Sequence, residues 1–211
     1  MLINLIIVVL SYLLGSVPFG LIMGKMWKGI DIRDQGSRNA GFTNVYRVVG
    51  PLPAIIVLIL DVTKGITAVL LLTRISLNTV NMDPIDLKIL AAFFVILGHV
   101  FPIFAGFRGG KGIATGLGAL ISIIPLEVAL ALLIFVVVVA LTKYVSLGSL
   151  TATTFVLVAL LFERYYLKQV VPSELILMIL FLVCFVFFNH RGNIKRLLAG
   201  KENKFGQKMP G

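Results

Sequence analysis

Residues 113–141 read IATGLGALISIIPLEVALALLIFVVVVAL, and how this run is divided decides the fold. As one straight helix its 29 residues would extend roughly 43 Å, against a hydrocarbon core of about 30 Å. Pro125 and Glu127 interrupt its middle. The run is therefore one long tilted helix or two short ones, and the choice moves every later connection to the other side of a membrane. A membrane is the expected solvent: the 211 residues are 59% hydrophobic and only 13% charged, about half the charged share of a soluble domain. Further apolar runs lie at about 2–24, 50–73, 87–105, 146–162 and 174–189. No Lys or Arg precedes Lys25, so the first run lacks the basic stretch of a secretory signal and reads as a retained span.

Charge decides the division. Basic residues concentrate on the cytoplasmic side of membrane proteins. If 113–124 and 126–142 are separate spans, one side holds Lys25, Lys28, Arg33, Arg38, Arg47, Arg108, Lys111, Lys143, Arg191, Lys195, Arg196, Lys201, Lys204 and Lys208, against Arg74, Lys88, Arg164 and Lys168 on the other. A single long span would split them evenly. The sequence thus predicts an all-α polytopic membrane protein of about seven transmembrane helices, with the N-terminus outside and the C-terminus cytoplasmic. The whole chain, 1–211, reads as one transmembrane domain with a basic tail at 195–211 suited to anionic headgroups. Trp27, Tyr144, Tyr165 and Tyr166 fall near span ends, as interfacial aromatics do. Gly20 with Gly24, Gly112 with Gly116, and the run Ser146, Ser149, Thr151, Thr153, Thr154 read as close-packing helix faces. Asp61 and Lys64, three residues apart inside a span, read as a local ion pair, and Glu127 as part of the outer turn between the short helices.

The net charge of +10 reports orientation and anionic ligands or lipids before nucleic acid. Cys184 is the single cysteine, so no disulfide closes within the chain, and His99 and His190 alone cannot build a zinc site. Asp31 and Asp34 precede the polar motif rather than sit in it, and no metal is expected.

Three polar segments share the basic side. The first, Gly36-Ser37-Arg38-Asn39-Ala40-Gly41-Phe42-Thr43-Asn44 with Arg47 beyond it, combines turn-forming glycines with neutral donors and a guanidinium; it suits either a ligand or a polar turn entering a helix. The second runs from Gly98-His99-Val100-Phe101-Pro102 to Phe107-Arg108-Gly109-Gly110-Lys111-Gly112 and leads directly into a helix, an arrangement that suits a phosphate. It is not a Walker A loop, because Ala105 stands where that motif needs its first glycine and Gly112 where it needs Ser or Thr. The third, Asn189-His190-Arg191-Gly192-Asn193-Ile194 with Arg196 and Leu197, places His190, Asn193 and Leu197 on one helical face. His190 is the better of the two histidines as a base near neutral pH, since His99 is followed by an apolar run. Other lipid-enzyme signatures fail by position: a His-x4-Asp acyltransferase would need Asp where Phe104 or Lys195 stands, and clustered phosphotransferase aspartates are absent.

Taken together and in order, G-S-R-N-A-G-F-T-N, then G-H-V-F-P-I-F with F-R-G-G-K-G-I-A-T, then N-H-R-G-N-I-K-R-L with G-K-E-N-K, closely resemble the three motifs of the bacterial acyl-phosphate:glycerol-3-phosphate acyltransferase family (PlsY). The resemblance spans essentially the whole chain. It implies transfer of a fatty acyl group from a long-chain acyl phosphate to the 1-hydroxyl of sn-glycerol 3-phosphate, giving lysophosphatidic acid and phosphate in phospholipid synthesis. It implies no cofactor, since the mixed anhydride is already activated, and a multi-pass protein of the bacterial cell membrane whose active site faces the cytoplasm. Membrane lipids are the expected surroundings and a monomer the expected state, with no nucleic acid partner. On this likeness Lys111 and the amides of Gly109, Gly110 and Gly112 bind the acyl-phosphate phosphate. Arg47, Asn39, Thr43 and Asn44, with Ser37, hold glycerol 3-phosphate, and Arg191 or Arg196 is a second cation. His190 and Asn193 position the hydroxyl; its proton goes to His190 or to a substrate phosphate, and a Ser37 acyl-enzyme is the less favoured route. The competing class is a small transporter for a phosphorylated solute, which the one-sided distribution of the motifs disfavours.

Overall fold

The computed structural model describes residues 2–75 and 82–207, with side chains from residue 4 onward. Lys208 and the rest of the tail's end lie outside the described residues. The described chain is helical and divides into two compact units meeting in sequence at Ile123–Ile124.

The first unit holds α1 (Leu2–Gly15), α2 (Phe19–Lys28), α3 (Phe42–Val48), α4 (Pro51–Ile66), α5 (Pro84–Val100) and α6 (Ile113–Ile121). α4 runs on through a π-helical turn, Thr67–Leu72, and a short 3-10 turn, Thr73–Ile75. The run at 2–24, expected as one span, falls largely within one candidate span, Asn4–Lys28, whose helix is interrupted between Gly15 and Phe19. Pro18 causes the break: its ring removes a backbone donor and keeps Val17 out of the helical region. Glycines then bring backbones together. A Cβ on Gly98 would overlap the carbonyl of Tyr12 and one on Gly15 that of Val95, so α1 and α5 touch along their main chains. Gly118 against Val62 and Gly65 against Thr115 do the same for α4 and α6. Gly20 packs on the carbonyl of Ala40, as its spacing suggested. Gly112 and Gly116 both face Ile96 of α5, Gly112 closely and Gly116 at ordinary contact distance.

The second unit holds α7 (Pro125–Thr142), α8 (Val145–Tyr165), α9 (Ser173–Asn189) and α10 (Arg191–Leu198). Gly148 of α8 seats against Phe135 and Val139 of α7. The hydroxyls of Ser149, Thr151, Thr153 and Thr154 donate to carbonyls four residues back, which satisfies them inside an apolar helix. Exposed Tyr165 and Tyr166 end α8.

The 113–141 run is two helices, broken at 122–124 before Pro125 opens α7. Proline suits that first helical position, where its missing donor costs nothing. Glu127 lies in the first turn of α7. Among the described residues five helices are long and apolar enough to cross a membrane, or six if α9 and α10 count as one bent span. α6, nine residues long, extends about 14 Å, under half of a hydrocarbon core of about 30 Å.

Candidate active site

The first unit builds its polar end from two loops. Asp31 caps the short 3-10 turn Ile32–Asp34, accepting from the Arg33 amide at 2.9 Å. The Arg33 guanidinium grips the same carboxylate, Nη2 to Oδ2 at 2.7 Å, and donates through Nη1 to the carbonyls of Ala105 at 2.7 Å and Arg108 at 3.3 Å. One planar fork thus joins the loop before α3 to the loop before α6, a geometry a lysine cannot reproduce. Its guanidinium, chiefly by this hydrogen bonding, holds the Asp31 carboxyl below the usual carboxylate range, and Asp31 raises Arg33 in return.

Asn44, 1% exposed, sits inside the first loop. Its Nδ2 donates to the carbonyls of Ile32 at 2.8 Å and Gln35 at 3.1 Å, and its Oδ1 accepts from the Ser37 amide at 2.8 Å. The side chain is committed to shaping the loop and so positions Ser37 rather than offering its own amide to a ligand. Gly36, at φ +58°, passes so close to Asn44 that a Cβ there would overlap Oδ1. Asn39 likewise closes its own turn, accepting from the Gly41 amide at 2.9 Å. Ser37 is exposed, and Thr43 and Arg47 are half-buried on α3.

The glycine loop differs from its expected form. The amides of Gly109 and Gly110 donate to the carbonyls of Val100 and His99, each at 3.1 Å, so they fold the loop back on α5 instead of pointing at an anion. A Cβ on Gly109 would overlap the His99 carbonyl, and one on Gly110 the His99 imidazole. These glycines serve close approach. Gly112, at φ +86°, is the N-cap of α6, and half-buried Lys111 precedes it. A small crevice opens here, lined by Val17, Phe19, Ala40, Asp61, His99 and Gly110 among others.

In the second unit His190 is the hinge, with α9 and α10 bent by 60° about it. The single continuous helical face expected for His190, Asn193 and Leu197 is therefore broken at its first member, although the Ile194 amide still donates to the His190 carbonyl at 2.8 Å. His190 is 3% exposed, and its Nδ1 lies 2.8 Å from the Val186 carbonyl, so that nitrogen carries the proton and Nε2 is left as acceptor. Asn193 Nδ2 donates to Glu202 Oε1 at 2.6 Å, Ser146 Oγ to the same oxygen at 2.9 Å, and Arg196 Nε to Oε2 at 2.7 Å. Arg196 is thus paired within the unit. Arg191 folds back over Phe188, its guanidinium carbon 4.4 Å from the ring centroid, and donates to the Phe188 carbonyl at 3.0 Å.

The glycerol-3-phosphate acyltransferase family model matches residues 5–200. The chain belongs to that family. Curated glycerol-3-phosphate acyltransferases resemble it over nearly their full length: one from Clostridioides difficile (strain 630) is 42% identical over 97% of this chain and 96% of its own. One from Thermoanaerobacter sp. (strain X514) is 44% identical over 95% and 94%. The crystal structure of PlsY (YgiH), an integral membrane glycerol 3-phosphate acyltransferase, in its glycerol 3-phosphate form, superposes with a TM-score of 0.83 at 35% identity over 96% of both chains. Its lysophosphatidic acid form gives 0.80 at 34% identity, covering 96% of this chain and 95% of that one.

Within this acyltransferase, the sequence names Asp31, Arg33 and Glu202 but gives them no role in the site. Arg33 looks like one more basic residue, and the acceptors it reaches across to the second loop are backbone carbonyls that no residue type announces. Glu202, an acid in a basic tail, is the one signal that could have been read: it is 9% exposed and fully engaged. The described part of the tail, through Gln207, is correspondingly docked, with the Phe205 amide donating to the Lys143 carbonyl at 2.7 Å.

Proposed function

We propose that this protein transfers a long-chain acyl group from acyl phosphate to the 1-hydroxyl of glycerol 3-phosphate, releasing phosphate and lysophosphatidic acid at the cytoplasmic face of a bacterial cell membrane. The observation that carries the reading is the match along the whole chain to a glycerol-3-phosphate acyltransferase solved with glycerol 3-phosphate and with lysophosphatidic acid. Seven spans, α6 being the short one, with the N-terminus outside and the C-terminus inside, follow from the distribution of basic residues.

Both substrates are anionic and one is a lipid, so the protein has to neutralise phosphate, hold an acyl tail among apolar helices and orient one hydroxyl. Lys111 and Gly112, at the N-terminus of α6, face the acyl-phosphate phosphate with cation and helix dipole together. Arg47 and Thr43, on α3, with exposed Ser37, hold glycerol 3-phosphate. Asn44 and Asn39 act by fixing that loop, and Gly109 and Gly110 by letting the second loop close on α5. His190, whose Nε2 is its acceptor nitrogen, takes the hydroxyl proton or orients the hydroxyl for a substrate phosphate to take it, while Asn193 is held through Glu202. Arg191 is a second cation for phosphate. The tetrahedral intermediate collapses with loss of phosphate as leaving group. The protein works as a monomer.

Lys111→Ala tests the assignment. It abolishes turnover while leaving helicity and detergent-state homogeneity unchanged; near-normal activity in the folded variant contradicts the phosphate site.

A further inference from the structure

The buried charges of the first unit lie beneath the glycine loop, and the substrate and proton roles proposed above do not include them. The break between α1 and α2 leaves carbonyls without helical donors. Lys64, 3% exposed, supplies the donor, its Nζ reaching the carbonyls of Gly15 at 3.0 Å and Val17 at 3.2 Å. Asp61, 2% exposed, neutralises that ammonium, Oδ1 to Nζ at 2.7 Å. The same oxygen lies 3.4 Å from His99 Nδ1. The distance is long for a hydrogen bond, but it sets the buried carboxylate beside the Nδ1 edge of the ring. The far edge of that ring is where Gly110 packs, close enough to exclude any Cβ, and the carbonyl of His99 takes the Gly110 amide. Lys111 is the next residue.

We propose that Asp61, Lys64 and His99 are positioning residues: they lock the glycine loop against the broken first span and so fix Lys111 for the acyl donor. Its kinetic part rests on the acyltransferase reading. The structural part does not. Charges this deep in an apolar bundle are costly unless each is matched, and here the matching runs from the carbonyls at the helix break through an ion pair to an imidazole and a loop.

The test compares His99→Leu, which keeps volume but loses the donor, with His99→Asn, whose amide N–H stands near the Nδ1 position. Asp61→Asn is a third variant, liable to fail in folding because Lys64 stays charged. Hydrogen exchange at Gly109 and Gly110 in the detergent-purified full chain reads the loop without reference to the reaction. His99→Leu is expected to speed exchange there and to raise KM for palmitoyl phosphate roughly tenfold, with KM for glycerol 3-phosphate within about twofold; His99→Asn restores both. Unchanged loop exchange in folded His99→Leu overturns the proposal, as does faster exchange with an unchanged donor KM. A fall in kcat alone, equal in both variants, overturns it too and assigns His99 to general packing. Absence of product from the wild-type chain refutes the acyltransferase reading instead, and the exchange comparison then still decides whether the cluster holds the loop.

Discussion

Arg33 Nη1 lies 2.7 Å from the carbonyl oxygen of Ala105, a bond across 72 residues of sequence that joins the two loops of the first unit. Asp31 makes it possible by fixing the guanidinium from the other side, with Nε at 3.1 Å from Oδ1 and Nη2 at 2.7 Å from Oδ2. Both loops carry residues proposed to meet substrate phosphate, so the fork sets their separation.

Arg33→Lys should therefore behave much like Arg33→Ala. A single ammonium can pair with Asp31 or cap Ala105 but not do both, and a loss on the order of tenfold in kcat/KM is expected from both variants. Steady-state kinetics with each substrate varied in turn checks this; full activity in Arg33→Lys would show that charge, not fork geometry, matters.

The same pair predicts a pH response. Asp31 has a folded-state pKa below its ordinary value of about 3.9, so its contribution to stability is fully present above that value and is lost as pH falls through the depressed one. The clamp should be indifferent to pH from 6 to about 8 and weaken only in acid. Thermal unfolding of wild type and Asp31→Asn should differ by a constant amount near neutrality and converge below about pH 4. A difference that grows above pH 6 would contradict the assignment.

Asn44→Asp is a sharper probe of the first loop than Asn44→Ala. It keeps the acceptor for the Ser37 amide but replaces two donated bonds with a carboxylate facing two carbonyls. A loss of about 2 kcal/mol or more is expected, since a buried group is left repelled rather than satisfied. Arg47→Ala, by contrast, should raise KM for glycerol 3-phosphate with little change in unfolding temperature. Melting both variants beside wild type separates loop-building from ligand-holding; equal melting temperatures for Asn44→Asp and wild type would refute the loop role.

Glu202→Gln should be mild and Glu202→Ala severe. Glutamine retains an acceptor oxygen for Ser146 and Asn193, whereas alanine strands both and leaves Arg196 uncompensated, a loss of roughly 3 kcal/mol. The readout is thermal stability of the purified protein. Similar stability of the two variants would mean that the tail does not brace α8 and α10.

Sequence reasoning reaches some of this and stops for identifiable reasons. The division of 113–141 is legible because Pro125 interrupts the run and the distribution of basic residues then favours two helices over one. The break at Pro18 is not, because apolar residues continue across it and the donor that satisfies its carbonyls is Lys64, some 47 to 49 positions away. The ion pair of Asp61 with Lys64 can be read from their spacing; that the ammonium also caps a distant helix end cannot. Asn44 and Gly110 carry ligand-binding chemistry in composition, yet tertiary structure commits the first to loop carbonyls and the second to contact with His99. Residue type states what a group can donate. Only packing states to whom.

The central claim is a reaction with a particular donor, and the most direct measurement supplies detergent-purified protein with glycerol 3-phosphate and either palmitoyl phosphate or palmitoyl-CoA, without added metal, while lysophosphatidic acid is followed. Product from the acyl phosphate alone is the predicted result. Product only from the thioester would contradict the donor assignment, and none from either, in protein shown to be folded, would contradict acyl transfer itself and favour transport of a phosphorylated solute.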